Sequence, residues 1–368
     1  LNVTDKKLLW VALNLVLGDN LRAARRIIER FSGLSEAFLS SSQDLVALGL
    51  KEEEARELSS PGLIDKAAKV LSGMAKKGYS VLTLEDKAYP ENLREIFDPP
   101  YVLYCAGKPE VLNEPSVSVV GARKPTPYGR AVAEALARDL AAAGLVVVSG
   151  MARGIDSIAH WGALQAGKTV AVLGSGLDNI YPRENAPLFR KISEGGAAVS
   201  EFPPGARPLG FHFPLRNRII SGLSTATVVV EASRKSGSLI TACLALEQNR
   251  EVMAVPGNLT SELSLGANWL IKAGAKLVET WEDVVEEFPC PLRERFFSQR
   301  KEEQRSLPEM SPAEKRLFDG LRPDELTHID ELVERSDASV SEILALLLNL
   351  ELKGLVHQAP GKYFQRSL

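Results

Sequence analysis

The sequence predicts an α/β protein: a Rossmann-like, doubly wound, mostly parallel sheet flanked by a small all-helical N-terminal domain and a C-terminal winged helix. Three observations carry this prediction. Between Ser118 and Val255 short apolar runs alternate with helical patterns of roughly ten to fifteen residues, the rhythm of consecutive βαβ units. The runs at 146–148, 170–173, 227–230 and 252–255 are almost continuously apolar, as in strands covered on both faces. Residues 1–77 show helical periodicity alone, and beyond residue 310 three helical patterns precede a hairpin signal.

At the N-terminus Leu8, Leu9, Ala12, Leu13, Leu15 and Val16 form one apolar helix face, with Thr4 or Asp5 placed to cap it. Gly33 and Gly49 each sit between apolar residues with helical patterns on both sides. That layout resembles a SAM-like or helix-hairpin-helix domain, whose glycine hairpins can offer N–H groups to a DNA phosphate. Both glycines fit plain helix ends equally well. The acidic run Glu52-Glu53-Glu54 repels phosphate, which favours a scaffold role for residues 1–77.

The period changes at Tyr79, opening a central domain over 78–290. Residues 79–83 alternate like a strand, 88–93 turn into a short helix, and an apolar strand follows Asp98-Pro99-Pro100. The charged, aperiodic stretch 291–310 predicts a linker. Residues 311–368 then read as helices over about 314–321, 326–333 and 341–352, followed by a hairpin turning at Pro360-Gly361. The third of these helices carries no Lys or Arg before Lys353. It suits packing against protein better than reading a duplex, where basic and amide side chains enter the major groove.

Open α/β sheets bind ligands outside the carboxyl ends of their strands. The glycine turns stand at such ends: Gly121 after Val117-Ser-Val-Val, Gly150 after Val146-Val-Val-Ser, and Gly174-Ser-Gly176 after Val170-Ala-Val-Leu. Where a helix follows such a turn, its free N–H groups and dipole attract an anion. Polar and cationic residues collect in the same loops: Arg123, Lys124, Arg153, Arg183, Asn185, Arg216, Asn217, Arg218 and Lys235, the last preceding Ser236-Gly237-Ser238. Singly, each is an ordinary surface residue. Residues 117–250 nevertheless hold fifteen Lys or Arg against nine Asp or Glu, in a chain of net charge −3. That local reversal points to a phosphate-tracking groove and a polyanionic ligand.

Other chemistries find less support. Gly162-Ala-Leu-Gln-Ala-Gly167-Lys168-Thr169 fits the P-loop pattern, but here a helix precedes and a strand follows, the reverse of what a P-loop needs. Neither the Gly121 turn nor Gly174-Ser-Gly176 continues as a dinucleotide fingerprint. His160, His212, His328 and His357 are scattered, and no convincing acid–base pair emerges. Cys105, Cys243 and Cys290 lack metal-ligand spacing and fit reduced thiols of a cytoplasmic protein. No cofactor, metal or membrane span is expected, and the N-terminus lacks a signal-peptide profile.

Six motifs in order carry a resemblance over roughly residues 79–285. They are Gly121-Ala-Arg123, Ser149-Gly-Met-Ala-Arg-Gly-Ile-Asp156-Ser-Ile-Ala-His160, Gly176-Leu-Asp-Asn-Ile-Tyr-Pro182, Phe213-Pro-Leu-Arg-Asn-Arg218-Ile-Ile220, Ser236-Gly-Ser-Leu-Ile-Thr241 and Val255-Pro-Gly257. Together they resemble the DNA-processing protein A (DprA/Smf) family. The resemblance implies a domain that binds single-stranded DNA, dimerises, and loads the RecA recombinase onto that strand in natural transformation, without catalysis. It implies strand contacts from Arg123 and Arg183; relatives often carry Lys at the second position, and Arg keeps the charge with a different donor geometry. A flipped base could enter a pocket near the sheet edge. After Pro256-Gly257 the chain reads as a short helix, a glycine turn and a last strand, and a last strand tends to lie at a sheet edge. Ile271 and Leu277 flank that turn and, with the resemblance, become the expected homodimer contact. The rival reading is a Rossmann-like nucleotide-binding or nucleotide-hydrolysing enzyme. Its Pro-Gly-Gly-x-Gly-Thr loop is replaced here by Ser236-Gly-Ser-Leu-Ile-Thr241. A third reading is an adaptor that works through protein contacts of residues 311–368.

Overall fold

The computed structural model describes residues 5–18, 20–31, 33–305, 310–322, 326–336 and 338–366. It divides into two compact units, residues 1–293 and 294–368. Six helices open the first unit: α1 (Lys6–Leu17), α2 (Leu21–Arg30), α3 (Leu34–Leu39), α4 (Ser42–Ala47), α5 (Glu52–Leu58) and α6 (Pro61–Lys76). The Asp5 carboxylate caps α1 by accepting from the Lys7 amide, while Thr4 lies outside the described residues. Gly33 starts α3 as its N-cap, and Gly49 follows α4 with φ +88°. Both serve as helix boundaries, in keeping with a scaffold.

The sheet follows. Its strands and crossovers are β1 (Ser80–Thr83), α7 (Glu91–Arg94), β2 (Val102–Gly107), β3 (Ser116–Gly121), α8 (Pro127–Ala142), β4 (Val146–Ser149), α9 (Ile155–Leu164), β5 (Thr169–Val172), α10 (Ala186–Gly195) and β6 (Ala197–Ser200). They continue as α11 (His212–Leu223), β7 (Ala226–Val230), α12 (Gly237–Glu247), β8 (Glu251–Ala254), α13 (Leu265–Lys272), β9 (Lys276–Leu277) and α14 (Trp281–Glu286). Nine strands lie in the order β1-β2-β6-β5-β4-β3-β7-β8-β9. Neighbours from β6 to β9 are parallel, and β2 runs against both β1 and β6. The chain winds from β3 outward to β4, then restarts at β7 on the other side of β3, so a crevice opens between β3 and β7. The P-loop pattern falls, as expected, across the end of α9 and the start of β5.

Side chains alternate across the sheet and feed two cores. Leu103, Cys105, Val170, Val172 and Val199 point into one; Val102, Tyr104, Ala106, Ala171 and Ala198 point into the other. The second core continues into the N-terminal helices through Trp10, Val11, Leu13 and Leu17. Polar contacts reinforce the joint: the Tyr104 hydroxyl donates to Asn14 Oδ1 at 2.8 Å, and Asn14 Nδ2 donates to the Glu201 carbonyl at 3.1 Å. Residues 1–77, read from sequence as a domain of their own, therefore share a core with the sheet. The apolar face of α1 is wide because it serves helices on one flank and strands on the other.

A further departure concerns the expected linker at 291–310. Residues Cys290–Arg305 form a helix, α15, and residues 306–309 lie outside the described residues. The stretch lacks apolar periodicity but is rich in Arg, Glu, Gln and Lys, all good helix formers.

The second unit contains α16 (Pro312–Gly320), β10 (Thr327–His328), α17 (Ile329–Glu334), α18 (Val340–Leu352), β11 (Val356–Ala359) and β12 (Tyr363–Arg366). Its small sheet has the order β10-β12-β11, and Gly361 turns the hairpin with φ +90°. Capping boxes start two of the helices, Ser311 with Glu314 and Ser339 with Glu342. Leu317, Phe318, Ile329, Leu332, Ile343, Leu347, Leu350 and Phe364 fill its core. This is the winged helix the sequence predicts.

Candidate nucleic-acid interface

The β3–β7 crevice opens into a cleft of about 630 Å³. Val120, Gly121 and Arg123 come from the end of β3, Phe213, Arg216 and Asn217 from α11, and Ser236, Gly237 and Ser238 from the start of α12. Gly121 is required by the closeness of the two strands, since a Cβ there would lie 1.9 Å from the Val230 carbonyl oxygen. The N-terminus of α12 faces the cleft with the Ser236 hydroxyl as its cap. It brings the Gly237 amide and the positive end of the helix dipole to the cleft that Arg123 also lines.

The expected cations divide into three groups. Arg123, Lys124, Arg183 and Lys235 are exposed and, among the described residues, form no ion pair. Arg153 is also exposed, but its guanidinium grips the Glu184 carboxylate with two hydrogen bonds of 2.6 and 2.8 Å. That pairing raises the Arg153 pKa and lowers that of Glu184. The pair links the β4–α9 turn to the 181–185 loop and leaves less charge for a phosphate. Arg216 and Arg218, expected at the exposed edge, are buried at 4% and 6% exposure.

Arg216 nevertheless lines the cleft floor. It donates to the Gly150 carbonyl at 2.5 Å and to the Val172 carbonyl, tying down the ends of β4 and β5. Burial lowers its pKa to about 10, partly offset by the nearby Asp156 carboxylate. Burial likewise raises the pKa of Asp156, and Arg216 pulls it back down. Arg218 lies away from the cleft lining, in a buried ion pair with Glu201 at 2.5 Å. Two positions apart on a helix of period 3.6 point to nearly opposite sides, so 216 and 218 cannot both face the cleft, and the sequence pattern alone did not say which of them does.

The glycines need a similar revision. Gly150 makes room for the Arg216 guanidinium, which a Cβ would approach to 2.6 Å. Gly174 is buried against the Phe213 ring, and the Gly176 amide already donates to the Ala206 carbonyl. None of the three lines the cleft. Asn185 is a brace: its Nδ2 donates to the Met151 carbonyl and the Ser157 hydroxyl, both at 2.8 Å. His160 is buried with its Nδ1 2.6 Å from the Thr169 hydroxyl, and burial lowers its pKa to about 3.

Sequence reasoning left out the aromatic wall. Tyr181 and Phe213 both line the cleft with ring centroids 5.6 Å apart, and Arg123 stands 6.0 Å above the Phe213 ring. Tyr181 is 47% exposed, so one ring of the cleft wall is open to a stacking base. The signal was present, because both aromatics interrupt the cation-bearing loops. Ile240 and Thr241 complete the wall from α12. At the sheet edge, β9 is the last strand as expected and Leu277 is 41% exposed. Ile271 is half-buried against the core, and on α13 it is Trp269, 54% exposed, that faces outward. Among the described residues no helix is long and apolar enough to cross a membrane.

Comparison with known proteins bears on this geometry. A family model described as DNA recombination-mediator protein A matches residues 80–289, and one for the DprA winged helix domain matches residues 301–362. Protein Smf of Escherichia coli is 40% identical over 304 residues, covering 80% of this chain and 79% of its own. DNA processing protein DprA of Streptococcus pneumoniae is 47% identical over 204 residues, covering 55% of this chain and 72% of its own. The X-ray structure of DprA from Streptococcus pneumoniae superposes with a TM-score of 0.60 at 36% identity, over 76% of this chain and 96% of that one. A structure of DNA processing protein A from Helicobacter pylori, concerned with that protein's single-stranded-DNA binding mode, gives 0.52 at 32% identity, over 61% and 96%.

Proposed function

Because the chain belongs to the DprA/Smf family of DNA recombination mediators, we propose that it binds single-stranded DNA in the β3–β7 cleft and passes it to a RecA recombinase, without catalysing a reaction. The observation that carries this reading is the meeting, in one cleft, of the α12 N-terminus, Arg123 and an aromatic wall, with Lys124, Arg183 and Lys235 exposed within two residues of lining positions. The Gly237 amide and the positive end of the α12 dipole take one phosphate, and Arg123, Lys124, Arg183 and Lys235 neutralise its neighbours along the strand. A base stacks on Tyr181 or Phe213, which every base can do, so the contact tolerates any sequence. A duplex keeps its bases stacked inside and cannot use that wall.

The ionisable groups of the floor support a binding role. Asp156 and Arg216 stabilise each other and hold strand ends in place, and His160 is neutral and enclosed. This arrangement suits a rigid floor better than proton transfer.

The reading extends to partners. The outward Leu277 and Trp269 at the β9 edge form a homodimer contact, and the winged helix engages protein rather than duplex. Salt-titrated binding to single- and double-stranded oligonucleotides tests the core of the proposal. Preference for the single strand, with affinity falling steeply as salt rises, is the expected result; equal or tighter duplex binding refutes it. Recombinase loading is tested separately, by the lag before RecA assembles on single-stranded DNA. A lag unchanged by this protein removes that part and leaves the binding site standing.

A further inference from the structure

The Arg153–Glu184 ion pair stands on the rim of the cleft, where the fold has little use for it. Its side chains are 60% and 56% exposed, and an exposed pair contributes little to stability. The two loops it joins are already fastened by Asn185, whose Nδ2 donates to the Met151 carbonyl and the Ser157 hydroxyl. Its position sets it apart. Ala152, the neighbour of Arg153, and Tyr181, three residues before Glu184, both line the cleft. Gly154, at φ +80°, packs so closely on the Arg123 loop that a Cβ would lie 2.2 Å from the Ala122 carbonyl oxygen. Glu184 directly follows Arg183. The pair therefore reaches from the loop of Arg123 to the loop of Arg183, along the path of the strand. The exposed Lys168–Glu114 pair, by contrast, sits at the amino ends of β5 and β3, the opposite edge of the sheet.

Arg153 holds both carboxylate oxygens of Glu184, through Nε at 2.6 Å and Nη2 at 2.8 Å. The non-bridging oxygens of a phosphodiester match the same fork, so carboxylate and phosphate compete for one guanidinium. Resting on the reading of the cleft as a single-strand site, we propose that Glu184 is a built-in competitor of the strand. Arg153 exchanges its carboxylate for a phosphate when the strand arrives, and Glu184 takes the guanidinium back when the strand leaves. Arg123 and Arg183 anchor the strand on either side and so raise the effective concentration of its phosphates at Arg153, which drives the exchange. Because one anion replaces another, the exchange adds a contact without adding salt dependence. A strand held this way is bound less tightly than one on a bare guanidinium, which suits a protein that must give the strand up.

The test is a cycle of Glu184→Gln, Arg153→Gln and the double variant in the full chain, with a fluorescent oligothymidylate titrated across salt and its dissociation timed. Glu184→Gln should tighten binding about fivefold and slow dissociation by a similar factor. It should also steepen the log–log salt slope by about 0.7, the value for one more phosphate neutralised. In the Arg153→Gln background the same substitution should gain less than about twofold, because its effect passes through the guanidinium. Thermal midpoints of all four proteins should agree; if Arg153→Gln lowers its own, Arg153→Met, which keeps the apolar stem, takes its place. A Glu184→Gln gain of equal size in both backgrounds acts through net charge alone and overturns the proposal, as does an unchanged affinity and slope. An unsubstituted chain that fails to bind the oligonucleotide removes the reading of the cleft itself, and this proposal with it.

Discussion

Two elements of this chain stand where other folds meet nucleic acid: the crevice at the carboxyl edge of the sheet and the third helix of the winged helix. The crevice holds a helix N-terminus, Arg123 free of ion pairs and rings to stack on, and Arg183 stands exposed two residues from Tyr181. The outward face of α18 has leucines where a reading helix would carry Arg, Lys or Asn. Architecture supplies the place, and the side chains decide what happens there. The same contrast recurs within the crevice, where neighbouring arginines divide into exposed charges and buried struts.

The largest effect should come from the struts. Arg218→Ala strips Glu201 of its guanidinium inside the core and should cost about 3–5 kcal/mol of stability. Arg183→Ala, on the surface, should shift stability by no more than about 0.5 kcal/mol. Urea titration of both variants checks the division; similar midpoints for the two would erase it.

Dimerisation comes next. Leu277→Glu with Trp269→Glu should yield a folded monomer that binds long strands on the order of 100-fold more weakly, because two linked clefts reinforce one another. Sedimentation velocity decides: a variant that stays dimeric, or an unsubstituted chain that is monomeric at micromolar concentration, rules this contact out. This pair is cleaner than one including Ile271, whose half-buried side chain packs on the core.

Within the crevice, Tyr181→Ala should lose about 1–3 kcal/mol of single-strand affinity for any base composition. Arg123→Ala and Arg183→Ala should each reduce the log–log salt slope by about 0.7, the single-strand value per phosphate. An unchanged slope in the folded double variant would remove these two residues from the strand's path. The smallest effect belongs to the winged helix. A chain ending at residue 305 should bind a short oligonucleotide, which seats one copy, with less than tenfold loss, about 1.4 kcal/mol.

Much of this was legible in the sequence. The strand–helix alternation, the glycine turns and the winged helix all follow from local periodicity, which packing here did not override. What stayed hidden was direction. The spacing from Arg216 to Arg218 did not show that both point inward, because inward arginines are rare and depend on distant partners, the Gly150 carbonyl and Glu201. Lack of periodicity in α15 hid a helix made from propensity alone. The union of α1 with the sheet depends on Tyr104, ninety residues away, and no local pattern records it.

That union bears on how the chain is made. The N-terminal helices leave the ribosome before the sheet, yet Trp10, Leu13 and Leu17 belong to one core with Tyr104, Ala171 and Ala198. Until about residue 200 has emerged, the apolar side of α1 has only its helical neighbours to lie against. Domains ordinarily fold in the order they are synthesised. Here the earlier segment waits for the middle of the chain, and a chaperone that holds exposed apolar helices would meet it during that wait.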